Sequence, residues 1–157
     1  MIRSRVGMMA TRHNQRTAKS LPLTDYQSLA ELRYQIRRFV HFSEQAVRNA
    51  GLEPRQHQLM LALKALPKEV RPRIGELAER LLIQHHSAVE LVNRLATGGY
   101  VRRDRGDADR REVLISLTPK GEKILRELSL HHRAELRTRG PALVAALKRA
   151  IQTARIG

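Results

Sequence analysis

From Ile74 to Leu117 the spacing of apolar positions changes in a definite order. Ile74, Leu77, Ala78 and Leu81 recur at helical spacing, and after a break at Leu82–Gln84 so do Ala88, Leu91, Val92 and Leu95. The pattern predicts two short amphipathic helices joined by a tight turn, the second running from about Gln84 to Thr97. Gly98-Gly99 follows it, and glycine accepts the left-handed conformation on which helices often end. Tyr100–Arg103 and Val113–Leu117 then read as short strands around a polar loop, Asp104 to Arg111. Helix, turn, helix, β-hairpin is the order of a winged helix.

The flanks are helical. Leu21-Pro-Leu-Thr-Asp predicts a helix start with Thr24 or Asp25 as cap. Leu29, Leu32, Ile36, Phe39, Val40, Ser43, Ala46 and Val47 form its apolar stripe, with an end near Asn49 set by Gly51. A helix of about 25 residues spans about 37 Å, too long for a small core to cover alone. Part of it is therefore expected to pack on a second chain. Pro54 suits the first turn of another helix, buried through Leu59, Met60, Leu63 and Leu66. After the hairpin, Thr118-Pro119 predicts a capped helix to about Thr138, broken by Gly140-Pro141. A last helix, from Ala142 to about Arg155, follows on Leu143, Ala146, Leu147 and Ile151.

Composition narrows the partners. The chain has 157 residues and a formal net charge of +15. That basic excess implies a polyanion, most commonly nucleic acid. A membrane surface is the rival, but no apolar run approaches a transmembrane length, and without a leader pattern the expected location is the cytoplasm. The absence of cysteine rules out a thiol switch and thiolate metal ligands. With aromatics at 3% and no Trp, base stacking is a poor match and duplex recognition a better one. Arg3, Arg5, Arg12, Arg16 and Lys19 make residues 1–22 a disordered basic arm. It is either a frayed tail or a source of extra phosphate and minor-groove contacts.

The stretches GELAERL, VELVNRL, GGYVRR and DADRREVLISLTPKGEKIL together resemble the MarR family of winged-helix transcription regulators. The resemblance implies a mainly α (α+β) fold with three parts. Residues 51–117 form a DNA-binding winged helix-turn-helix, residues 23–50 and 118–157 a helical dimerisation region, and residues 1–22 the arm. It also implies a homodimer on double-stranded DNA, acting as a repressor at a palindromic operator. A small anionic or phenolic effector releases it in much of that family.

Candidate contacts follow. Gln84, His85, His86, Ser87, Val89, Glu90 and Arg94 lie off the apolar face of the second motif helix, whose first residues would reach base edges. His86 and Ser87 are the hydrogen-bonding candidates there, and Val89 suits a thymine methyl. Arg94 suits a phosphate or an acid within the chain. Arg103, Arg105, Arg110 and Arg111 crowd the hairpin. By the resemblance one of them enters a minor groove, with Arg110 first and Arg105 second. Relatives often carry an acid at the loop apex where this chain has Gly106. Arg37, His41 and Ser43 on the first helix, with His57 on the second, are candidates for an anion-binding effector pocket. A packed histidine is the plainer reading of His57.

No cofactor and no metal site are expected. The pairs His85-His86 and His131-His132 are neighbours in sequence, and neighbours on a helix do not face one side. No nucleophile elbow or phosphate loop appears, so an enzyme is not expected. Two other classes remain open: a sequence-tolerant nucleic-acid packaging protein, and a dimeric interaction module that no longer binds DNA.

Overall fold

The structure, a computed structural model, describes residues 20–156. The expected basic arm falls almost wholly on residues outside that range. The elements are α1 (Leu23–Asn49), α2 (Pro54–Lys64), α3 (Ile74–Leu81), α4 (His85–Thr97), β1 (Val101–Arg105), β2 (Val113–Leu117) and α5 (Pro119–Ile156). This is the mainly helical winged-helix order that the apolar pattern predicts.

The N-terminus of α1 differs from expectation. Pro22 is the N-cap residue, and its carbonyl accepts from Asp25 N at 3.0 Å. Thr24 and Asp25 lie inside the first turn and neither caps it. Proline has the fixed φ that an extended N-cap tolerates, and Asp25 instead complements the helix dipole. At the other end Gly51 takes φ +80°, and Leu52 N reaches back to Val47 O at 3.2 Å. α2 opens with Pro54 and a reciprocal cap in which Glu53 and Gln56 satisfy each other's backbone.

The two trailing helices are one. α5 runs 38 residues straight through Pro141. A proline inside a helix forfeits one backbone bond and crowds the preceding turn, yet packing beyond it holds the segment in line. Ala146 and Ala150 are buried, and the hydroxyls of Thr153 and Ser28 lie 3.0 Å apart, tying the end of α5 to the start of α1. Small residues there let the two helices approach closely.

One core joins the parts. Val47 and Leu52 at the end of α1 pack with Leu59 and Met60 of α2, Leu77 of α3 and Leu91, Val92 and Leu95 of α4. Val101, Ile115, Leu125 and Leu128 close it from the hairpin and the first turns of α5. By contrast Leu29, Ile36 and Val40 of α1 remain exposed, as do Leu136, Val144, Leu147 and Ile151 of α5. No helix among the described residues is long and apolar enough to cross a membrane.

β1 and β2 pair antiparallel, from Val101 opposite Leu117 to Arg105 opposite Val113. β1 therefore extends two residues past the expected Arg103, and Asp104 and Arg105 belong to the strand rather than the loop. A cross-strand bond accompanies the extension: Asp104 Oδ2 accepts from Ser116 Oγ of β2 at 2.7 Å, and also from Arg102 Nε of its own strand at 3.1 Å. Those two donors, Ser116 first, hold the Asp104 carboxyl below its ordinary range.

Candidate nucleic-acid interface

The helix-turn-helix turns on a non-glycine residue. Leu82 caps α3 in the left-handed region at φ 54°, and Ile83 N returns to Ala78 O at 3.0 Å. Gln84 is then the N-cap of α4 in extended conformation, one place outside the helix proper. α4 buries Ala88, Leu91, Val92 and Leu95, the face predicted from spacing. His85, His86 and Glu90 are exposed, while Ser87 and Val89 are half-buried. The side chain of Gln84 makes no capping bond, so the unpaired N–H groups of the first turn face outward beside two imidazoles. Gly99, at φ +75°, ends the helix, with Tyr100 N bonded to Leu95 O at 2.9 Å.

Arg94 does not stand free. Its Nη1 lies 3.1 Å from Glu53 Oε2 and 3.2 Å from Glu53 Oε1, so it ties α4 to the start of α2. Arg103 reaches Asn93 of α4. This couples the first strand of the hairpin to the motif's second helix.

The hairpin loop is tightly folded. Gly106 N donates to Glu112 O at 3.0 Å, Glu112 N to Asp109 O at 3.0 Å, and Arg111 N to Asp109 Oδ1 at 2.9 Å. Asp109 thus shapes the loop, and Arg110 beside it is exposed. Arg105 and Arg110 share a small recess with Gly106 and Asp107, and neither is ion-paired among the described residues. A Cβ on Gly106 would sit 2.6 Å from Glu112 Oε2 and 2.9 Å from Asp109 O. Any side chain at that apex would make Glu112 or the loop backbone shift.

Three residues outside the sequence-derived set matter here. Glu112 contacts both Arg71 and Arg73 from the loop before α3. Ile115 N donates to Pro72 O at 2.8 Å, so that loop runs alongside β2. The partners are 39 residues apart or more, and nothing in local spacing marks them. The only sequence signal is the pair of arginines flanking Pro72. A cleft of about 910 Å³ results, lined by Arg71, Arg73, Glu112 and Arg111 together with His85 of α4.

Behind the interface, α5 is seated on the hairpin by the Leu-Thr-x-x-Gly motif. Thr118 Oγ1 donates to Gly99 O at 2.6 Å and accepts from Gly121 N at 3.1 Å. Lys120 Nζ donates to Gly98 O at 2.7 Å and lies 4.3 Å from the centre of the Tyr100 ring. A Cβ on Gly121 would stand 2.0 Å from Tyr100 O, so only glycine permits this approach.

The four effector-pocket candidates are only partly brought together. His57 is buried, with its ring edge-on to His132 at 4.9 Å between centroids. Ser43 Oγ lies 3.1 Å from His132 Nε2, and Phe42 stacks on His131 at 5.1 Å. Arg37 and His41 are exposed on α1. Burial, aided by the neighbouring His132, pushes the His57 imidazolium down to about 4. At neutral pH His57 is therefore uncharged and adds no cation to an anion site. His132 is lowered as well by desolvation, against the opposing pull of the Ser43 carbonyl. No cluster of three or more potential metal ligands occurs among the described residues.

A helix-turn-helix followed by a β-hairpin, with an exposed first turn and an arginine-bearing loop, defines a winged helix-turn-helix protein. Residues 50–112 match the model of the MarR family. That segment, the helix-turn-helix and most of the wing, is what is similar to the family. A curated relative from Bacillus subtilis (strain 168), described as the uncharacterized HTH-type transcriptional regulator YsmB, is 34% identical over 64 residues. The match spans 41% of this chain and 44% of the relative. Among solved structures, AbsC, a MarR family transcriptional regulator from Streptomyces coelicolor, has a TM-score of 0.66 at 22% identity, over 77% of this chain and 81% of AbsC. A MarR family protein from Bacillus stearothermophilus has a TM-score of 0.62 at 21% identity, over 84% of this chain and 98% of that one. At such identities these two likenesses show the fold.

Proposed function

We propose that the protein is a sequence-specific double-stranded-DNA-binding transcription regulator, acting as a homodimeric repressor at a palindromic operator. One observation carries the reading: His85 of the α4 first turn and Arg111 of the hairpin line the same cleft, so helix and wing address one surface. The first turn of α4 fits the major groove, where His86 and Ser87 are the groups placed to bond base edges. Arg110 and Arg105 of the wing fit an adjacent minor groove, and a narrow groove concentrates negative potential. The basic excess supplies the sequence-independent share of binding.

Dimerisation is the natural use of the exposed apolar side chains on α1 and α5. Two-fold symmetry then calls for half-sites about one helical turn, on the order of 34 Å, apart. Release by a small anionic or phenolic ligand is the finest part of the proposal. Ser43 beside His132 is the polar pair that supports it, with Arg37 and His41 exposed on the same helix and His57 as a neutral, buried neighbour.

The test is a pair of substitutions, His86→Ala and Ser87→Ala. Each removes a hydrogen bond to a base, about 1–3 kcal/mol per site. In a dimer the loss counts twice, so operator affinity should fall by about two to four powers of ten. Random-duplex affinity should hardly change, because it derives from arginine–phosphate contacts. Parallel losses on both duplexes would reduce these residues to positioning the protein. No loss on either would mean that α4 does not read sequence.

A further inference from the structure

Arg71 and Arg73 enter α3 beside the cleft that α4 and the wing share, and one acid holds both. The side chain of Glu112 is 9% exposed, whereas those of Arg71 and Arg73 are 43% and 60% exposed. Glu112 Oε2 lies 2.7 Å from Arg71 Nη2, a contact of charge without hydrogen-bond geometry. Oε1 accepts from Arg73 Nε. Gly106 closes over the carboxylate so tightly that a methyl group there would collide with it. Both ends of the wing loop, the acid and the 71–73 segment therefore form one unit, fastened further by Ile115 N to Pro72 O.

We propose that Glu112 is a positioning residue for DNA recognition. By occupying Arg71 and Arg73 it fixes the wing and withholds two positive charges from the phosphate backbone, which raises sequence discrimination and lowers raw affinity. The inference rests on the DNA-binding reading above. Phosphate contacts hold a protein on a duplex but carry no sequence information. Each added one steepens the fall of log affinity with log salt by about 0.9. An arginine freed beside a polyanion adds such a contact. The wing, once unpinned, loses the fixed approach from which an arginine reads groove width.

The experiment measures binding to a selected and a random duplex over a range of salt concentrations, together with thermal melting. It uses the full chain and two variants, Glu112→Gln and the triple Arg71→Gln, Arg73→Gln, Glu112→Gln. Glu112→Gln is expected to bind random duplex about tenfold more tightly at low salt, with a salt slope steeper by about 2–4, because each freed arginine counts twice in the dimer. The ratio of selected to random affinity should fall about tenfold. The triple variant, which lacks the freed cations, should recover the original slope while keeping the lowered ratio. A merely structural Glu112 would lower the melting temperature and both affinities together at unchanged slope, and that result overturns the proposal. An unchanged slope with an unchanged ratio overturns it too. Should Glu112→Gln fail to fold, Glu112→Asp keeps the charge but, one methylene shorter, reaches only one arginine. Its slope should steepen by about two in the dimer, and no change there is the overturning result. If the unmodified chain binds neither duplex, the DNA-binding reading itself fails.

Discussion

His57 shows what burial does to a single side chain. Its exposure is 5% and its Nε2 has no hydrogen-bond partner, so a proton on the ring would be neither hydrated nor paired. With a folded-state value of about 4 against an ordinary 6.5, the unfolded chain binds the proton more readily across that interval. Stability is therefore full above about pH 6.5 and declines as pH falls toward 4, by up to about 2–3 kcal/mol. His132, lowered in the same direction, adds to the decline. Chemical denaturation at pH 7 and pH 4.5 should show the loss for the native chain and a smaller one for His57→Phe. Equal losses in the two proteins would place the acid sensitivity elsewhere. In sequence His57 reads more plainly as a packed histidine than as an effector ligand. Only the fold supplies His132, 75 positions on, as its neighbour. Leu82 is a similar case: an exposed leucine at φ 54° leaves no local mark of the kind glycine would, so the turn is legible there only as a gap in the apolar pattern.

At the scale of elements, most of the architecture was legible because each helix buries one stripe. The buried face of α4 comprises the four residues its spacing picks out. Reading failed where long-range contacts override a local rule. Pro141 predicts a break, but burial of Ala146 and Ala150 against α1 carries α5 through it. β1 outran its expected end, where Asp104 bonds to Ser116 across the hairpin. The glycine of Leu-Thr-x-x-Gly is visible as a motif residue, and the structure gives its reason. Gly121→Ala places a methyl group against the Tyr100 carbonyl, so the first turn of α5 must lift from β1. A loss of about 2–4 kcal/mol is expected, the upper range for an overpacked site. Thermal or urea unfolding measures it directly. A loss below about 0.5 kcal/mol would mean that α5 shifts without resistance.

The whole molecule divides into a winged helix with a continuous core and a helical pair with an uncovered apolar face. Ile36 and Val40 on α1, with Leu136, Val144, Leu147 and Ile151 on α5, are each more than 40% exposed. Covering the exposed half of such side chains contributes roughly 0.7–1.5 kcal/mol apiece, which in sum favours association. A homodimer at micromolar concentration is expected, with a melting temperature that rises with protein concentration. Light scattering on the full chain checks this, and a well-folded monomer would contradict it. Sequence length alone pointed to a second chain, since α1 is longer than one small core can cover. The Arg71–Glu112–Arg73 unit was not legible, because charge pairing between distant loops has no period.

In the function proposed above, α4 and the wing together recognise duplex DNA in a sequence-specific way. The most direct measurement selects a duplex from a random pool and then compares its affinity with that of random duplex at about 200 mM salt, where backbone attraction is damped. The expected result is a selected site with two-fold symmetry, bound at least about a thousandfold more tightly than random DNA. Equal affinity for both would mark a packaging protein, and binding to neither a module that does not engage DNA. Either result would contradict sequence-specific regulation.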